Sequence, residues 1–364
     1  IDFKSWKYDK VTAMRQPGST FKLFVYTEAM NQGLTPCDKR RDEYFSMQVF
    51  DKAQNKEVTW APTNANGYFT GDSIPLKGAF ARSINSVAVR LGQEMGIARI
   101  AETAHKMGIE SPLDETPALA LGSSDLNLLE LANAYSTIAN DGKYVRRQLV
   151  TRIVDRNGKE VYTAPVNEEQ VIPYKSAFLM QQLLLGGTHE PGGTSMSLNG
   201  YVGQFRDTDW GGKTGTSNNH SDAWFMGVSP NLVVGAWVGG EYRCIHFRTG
   251  ALGQGSRTAL PICGYFLESV LNDPAFAKYR VKFGKPKDAD ITSGMYNCSS
   301  YVPRAKVDTL ANDSITVDEE IMLDEDGMQA EHQHVGETPK EGNESAPKKE
   351  NKKPKEQVVN FDDL

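Results

Sequence analysis

No stretch of the sequence approaches the roughly 18 consecutive apolar residues that a membrane-spanning helix needs, and no charged-then-apolar leader opens it. The chain starts at Ile1 rather than Met, part-way into a motif. It is therefore read as a fragment, and the lack of an apolar segment is uninformative about its parent. Cysteine is scarce too. Cys37, Cys244, Cys263 and Cys298 form no CxxC pair and no regular spacing, which argues against a zinc site. An oxidising compartment would permit one disulfide, with the choice of pair left open. None of the six histidines lies in an HExxH pattern, and Cys244-Ile245-His246 reads as strand packing rather than a metal centre. Residues 250–255 (GALGQG) lack the spacing of a dinucleotide fingerprint. No metal and no cofactor is expected. Lysine and arginine are scattered without aromatic interleaving, so nucleic acid is not an expected partner.

What is present is the composition of a globular chain: 364 residues, 39% hydrophobic and 24% charged. The net charge of −6 is uneven, because residues 285–364 hold 10 Lys or Arg against 18 Asp or Glu, leaving residues 1–284 slightly positive. Segments such as residues 341–356 (EGNESAPKKENKKPKE) cannot bury enough apolar surface to offset the entropy of ordering. The expected organisation is one domain over residues 1–284 and an acidic, disordered tail over residues 285–364.

Within the first part, helical spacing predicts helices over residues 19–32, 86–107, 126–140, 174–185 and 259–271. Strands are predicted over residues 213–217, 223–228 and 232–238, with connections short enough for antiparallel hairpins. Helices on both sides of such a meander suggest an α/β sandwich, an antiparallel sheet covered by helices.

Three short motifs follow in chain order: Ser19-Thr20-Phe21-Lys22, Ser83-Ile84-Asn85 and Lys213-Thr214-Gly215-Thr216. Each is weak alone; Ser345 to Lys348 repeats the first pattern, and Ser197 to Asn199 the second. A serine hydroxyl needs a base at neutral pH. Lys22, three residues on, would share a helix face with Ser19. To act as base it must lose a proton ordinarily held up to a pKa of about 10.4; desolvation and a second cation, Lys213, would lower that value. The alternative is a helix cap and a solvated lysine. Ser83 could relay a proton and Asn85 hold a carbonyl, or Ser83 could merely cap a helix. Gly211, Gly212 and Gly215 suit a strand that another backbone approaches closely, and the hydroxyls of Thr214 and Thr216 beside Lys213 could receive a carboxylate. Otherwise this is an ordinary surface strand. The three together form the set found in β-lactamases and penicillin-binding proteins.

The flanks sharpen the likeness. Residues 15–19 (RQPGS), 131–142 and 213–227 (KTGTSNNHSDAWFMG) resemble the transpeptidase domain of class A, bifunctional penicillin-binding proteins, over about residues 1–275. That resemblance implies the penicillin-binding/β-lactamase-like fold without its first two strands, and an extracytoplasmic protein anchored by a membrane helix and carrying a glycosyltransferase domain, neither of which falls within this sequence. It implies Ser19 as the acylated nucleophile, Lys22 as its base, Ser83 as relay and Asn85 as a substrate ligand. Lys213, Thr214 and Gly215 would hold the carboxylate region, and the backbone N–H groups of Ser19 and Thr216 would form the oxyanion hole. Expected partners are peptidoglycan stem peptides, β-lactams and other cell-envelope proteins. With two strands missing, the isolated chain is expected to be marginal or inactive. A class A β-lactamase would need a glutamate-activated water, for which no suitable ExxxN stretch lies between Ser83 and Lys213. A penicillin-sensing module without turnover is the other alternative.

Overall fold

The computed structural model describes residues 8–51, 55–217 and 219–303. A 3-10 turn, Gly18–Phe21, leads into α1 (Lys22–Asn31). Strands β1 (Lys39–Arg41), β2 (Met47–Asp51), β3 (Lys56–Trp60) and β4 (Ser73–Pro75) follow, paired as β1 with β4 and β2 with β3. Next come α2 (Leu76–Ala81), α3 (Asn85–Met95), α4 (Ile97–Lys106) and α5 (Leu128–Ala139). A small excursion holds β5 (Lys143–Val145), β6 (Arg152–Val154), β7 (Glu160–Thr163) and β8 (Glu168–Gln170). The chain continues through α6 (Tyr174–His189), α7 (Asn199–Val202), β9 (Gly211–Thr216), β10 (Asp222–Val228), β11 (Val233–Gly239), α8 (Gly250–Gly253) and α9 (Ala259–Asn272).

The largest sheet among the described residues is antiparallel, in the order β11-β10-β9. Its central strand is buried on both faces. Trp224, Met226 and Val228 join a core built on α1, α5 and α6, whereas Phe225 joins a second core with Val234, Ala236, Leu260 and Leu267 of α9. This alternation is the period of two that a pleated strand imposes. Helix α1 has no wet stripe: Leu23, Phe24, Val25 and Tyr26 are all fully buried. An apolar surface all round marks a helix enclosed by others.

The expected helix over residues 86–107 is two helices. Gly96 adopts φ +91°, open to glycine at little cost, and breaks it into α3 and α4. The expected tail also begins later than residue 284. Ile291 is buried in the main core, Tyr296 packs edge-on against Phe178 at 5.4 Å, and Tyr301 Oη donates to Asp72 Oδ2 at 2.8 Å. Residues 285–303 are thus a strap across the helical layer, and the rest of the expected tail lies outside the described residues.

The segment before the 3-10 turn is bolted to the sheet by a buried ion pair. Arg15 Nε donates to Asp222 Oδ1 at 2.6 Å, with both side chains almost wholly buried. Trp237 Nε1 donates to the same oxygen at 3.0 Å and Ser221 Oγ to Asp222 Oδ2 at 2.7 Å. Removing one buried partner strands the other charge. Arg15→Met is expected to lower the unfolding free energy by about 3–5 kcal/mol, and Arg15→Met with Asp222→Asn to recover part of that loss. Denaturant titration checks both; equal single and double losses would rule out the coupling.

Candidate active site

Ser83 sits where α2 ends, in a left-handed conformation (φ +59°) that side chains other than glycine, Asn and Asp seldom take. It ends α2 rather than capping α3, whose N-cap is Ile84 with no side-chain cap of its own. The N-terminus of α3 is instead capped from a distance: Asn64 Oδ1 accepts from the backbone N–H of Asn85 at 3.0 Å and of Ser86 at 3.1 Å. Asn64 is held in turn by Asp42, whose Oδ1 accepts from Asn64 Nδ2 at 2.7 Å and Ser86 Oγ at 2.6 Å. Asp42 Oδ2 also accepts from the backbone and hydroxyl of Thr70.

Two buried lysines converge on the Ser83 hydroxyl. Lys22 Nζ donates to Ser83 Oγ at 3.1 Å, to the Ser83 carbonyl at 2.7 Å and to Asn85 Oδ1 at 2.7 Å. Lys213 Nζ donates to Ser83 Oγ at 2.8 Å and to the Thr214 carbonyl at 3.0 Å. Lys22 is inaccessible to solvent and Lys213 is 1% exposed. Burial, then the Lys213 charge, lowers the Lys22 pKa well below its ordinary value. Burial alone pushes Lys213 down to about 7.

Ser19, half-buried, lies on the 3-10 turn, where residues three apart eclipse one another. Lys22 is three residues on, and its backbone N–H bonds to the Ser19 carbonyl. Strand β9 presses against this turn. A methyl group on Gly215 would lie 2.3 Å from the Pro17 carbonyl oxygen, and one on Gly18 would lie 2.6 Å from that of Thr216. Only residues without a Cβ permit this approach, which brings the backbone beside Ser19 against Thr216. Tyr135 Oη, donating to the Thr20 carbonyl at 2.9 Å, and Trp224 Nε1, donating to that of Gln16 at 2.8 Å, pin the turn from two sides. Thr214 Oγ1 donates to Thr194 Oγ1 at 2.7 Å. The fold therefore gathers Lys22, Ser83, Asn85, Lys213 and Thr214 into one bonded cluster, with Ser19, Gly215 and Thr216 packed alongside.

A family model, the penicillin binding protein transpeptidase domain, matches residues 2–237. The chain belongs to that family. Penicillin-binding protein 2D of Bacillus subtilis is 32% identical over 65% of this chain and 34% of its own length. Penicillin-binding protein 1A of Rickettsia felis is 30% identical over 77% of this chain and 37% of its own. The chain thus spans about a third of the curated relatives it matches. Among solved structures, penicillin-binding protein 1A of Haemophilus influenzae aligns with TM-score 0.66 and 26% identity, covering 75% of this chain and 45% of that one. The PonA1 protein of Mycobacterium tuberculosis, in complex with penicillin V, shares the fold at TM-score 0.57 and 23% identity, covering 73% of this chain and 71% of that one. In this penicillin-binding family member the penicillin-binding/β-lactamase-like fold is an antiparallel sheet between helical layers.

Asp42, Asn64 and Thr194 escape a reading of the sequence. Each is an isolated polar residue in no motif; burial distinguishes Asp42 and Asn64 from the solvated ones around them, and a bond to Thr214 distinguishes Thr194. Replacing Asn64 by alanine removes the remote cap of α3 and leaves Asp42 short of a donor. Asn64→Ala is expected to cost about 1–3 kcal/mol in denaturant unfolding, and more than Gln48→Ala on the exposed β2–β3 hairpin. Equal effects would mean that the cap contributes nothing.

Proposed function

We propose that this chain is the acylating domain of a peptidoglycan D,D-transpeptidase acting outside the cytoplasm, in a parent that is a class A, bifunctional protein. The observation that carries the proposal is the Ser83 hydroxyl shared by two buried lysines, one of them depressed by its burial and then by the charge of the other.

In this scheme Lys22 is neutral at rest. Its two N–H groups satisfy the Ser83 carbonyl and Asn85 Oδ1 at 2.7 Å, which leaves its lone pair for a proton. A D-Ala-D-Ala stem peptide adds along β9, with its terminal carboxylate at Lys213 and Thr214 and a backbone carbonyl at Asn85. Lys22 takes the Ser19 hydroxyl proton as the oxygen attacks the carbonyl of the penultimate residue. The backbone N–H groups of Ser19 and Thr216 receive the oxyanion. Collapse breaks the C–N bond; the departing D-Ala amine takes the Ser83 proton, which Lys22 then replaces. An ester on Ser19 remains. The amine of a neighbouring peptide reverses these proton transfers and forms the cross-link, and water in its place gives carboxypeptidase products. A β-lactam enters as the stem-peptide mimic, and its opened ring leaves an ester that the acceptor cannot reach. Family members' partners in the cell envelope extend to this chain only within the same proposal.

Intact mass after penicillin treatment, with peptide mapping, tests the reading. A long-lived adduct on Ser19, absent in Ser19→Ala and formed about 100–10,000-fold more slowly in Lys22→Ala, is expected. A rapidly lost adduct would favour a serine β-lactamase; an adduct without any cross-linking by the parent would favour a sensing module; no adduct on the full-length parent would exclude all three.

The pH profile is a second test. Lys22 must be neutral and Lys213 charged, so acylation kcat/KM rises as Lys22 loses its proton and falls above about pH 7, where Lys213 loses its own. A rate climbing steadily to pH 10 would contradict these roles.

A further inference from the structure

Cys37 and Cys298 come from opposite ends of the described chain and meet where the strap of residues 285–303 crosses the start of α2. The Cys298 thiol donates to the Pro36 carbonyl oxygen at 3.6 Å, one residue from Cys37, and the Cys298 sulfur is near enough to act on the Cys37 thiol. The other two cysteines have no such neighbour: Cys244 is exposed, and Cys263 lies on the buried face of α9. We propose that Cys37 and Cys298 are a disulfide-forming pair whose oxidation welds the strap to the domain.

The place of the weld gives it a structural consequence. Pro36 already accepts from the backbone N–H of Lys77 at 2.9 Å, and Asp38 from that of Leu76 at 2.8 Å, so the segment carrying Cys37 is tied to the first turn of α2. Past Cys298 the strap returns to the same helix: a methyl group on Gly78 would lie 3.0 Å from Tyr301 Cβ, and the Arg82 guanidinium lies over the Tyr301 ring at 5.6 Å. Ser83 is the residue at which α2 ends. A bond between Cys37 and Cys298 therefore clamps the strap over the helix that presents Ser83, and closes a loop spanning most of the described chain. Loops of that size lose the most freedom in the unfolded state when cross-linked.

The chemistry is thiol–disulfide exchange. Oxidised glutathione, or the disulfide of a dithiol oxidase, supplies the oxidant. One cysteine sulfur attacks it and expels the first reduced thiol; the second cysteine then displaces the other. The two protein thiols give up two electrons and two protons, which leave as the two reduced thiols of the oxidant. Burial, then the neighbouring Cys298 sulfur, pushes the Cys37 thiol up to about 12. Exchange is consequently slow at neutral pH and faster in mild alkali.

The test uses the full chain, reduced and then incubated at pH 8.5 with oxidised glutathione, quenched with acid and alkylated before digestion. A single linked peptide pair joining Cys37 to Cys298 is expected. The oxidised chain should melt roughly 5–10 °C above its reduced form. Cys298→Ser should melt with the reduced wild type and be indifferent to reductant, which separates the bond from the substitution itself. A link between any other cysteines, glutathione retained on Cys37 or Cys298 in place of the link, or both thiols still free after oxidation would overturn the proposal. Labelling by fluorescent penicillin, followed in the same samples, reports on the transpeptidase reading separately, because the pairing does not require an acylating serine.

Discussion

Two ammonium groups with almost no access to water, both within hydrogen-bond reach of one hydroxyl, cannot both remain charged at ordinary cost. The rest of the site depends on that constraint. Lys22 lies on the enclosed helix α1, and its ammonium donates to Ser83 and Asn85. Lys213 approaches from the sheet. The first loses its proton because it is both dry and next to a cation; the second is dry but has the weaker push. A pair of like groups driven apart in acidity by their surroundings is the usual signature of acid and base roles divided between them.

Holding three remote segments at this spacing takes stiffness that the catalytic cluster does not supply. The sheet supplies part of it through glycines that let β9 lie against the Ser19 turn, and through the Arg15–Asp222 pair that fixes the approach to that turn. The second part is the polar relay from Asp42 through Asn64 to the start of α3. The left-handed Ser83 lies between these supports, its hydroxyl held to both lysines by hydrogen bonds while the surrounding packing sustains its backbone strain.

Much of this was legible in the sequence because it rests on local chemistry. The three motifs, the buried meander from residue 211 to 239 and the helices that cover it follow from periodicity and from residues whose types have few other uses. What escaped did so for physical reasons. Gly96 splits a helix whose apolar spacing runs straight through the break. β2 and β3 alternate half-buried with exposed residues over only five residues each, and β6 and β7 are exposed throughout, so neither pair stands out from the loops around it. Asp42 and Asn64 take their meaning from burial, which no spacing encodes. The strap reads as tail because its composition is polar; a few anchors, Ile291, Tyr296 and Tyr301, fasten it.

The protonation state of Lys22 is the point on which the scheme stands. NMR titration of the lysine side-chain 13Cε signals, assigned with Lys22→Arg, reads it without any substrate. A Lys22 resonance that becomes that of a neutral amine well below the ordinary lysine range is the result the buried geometry requires. A signal that stays that of a charged ammonium until about pH 10, the range of an ordinary lysine, would contradict it.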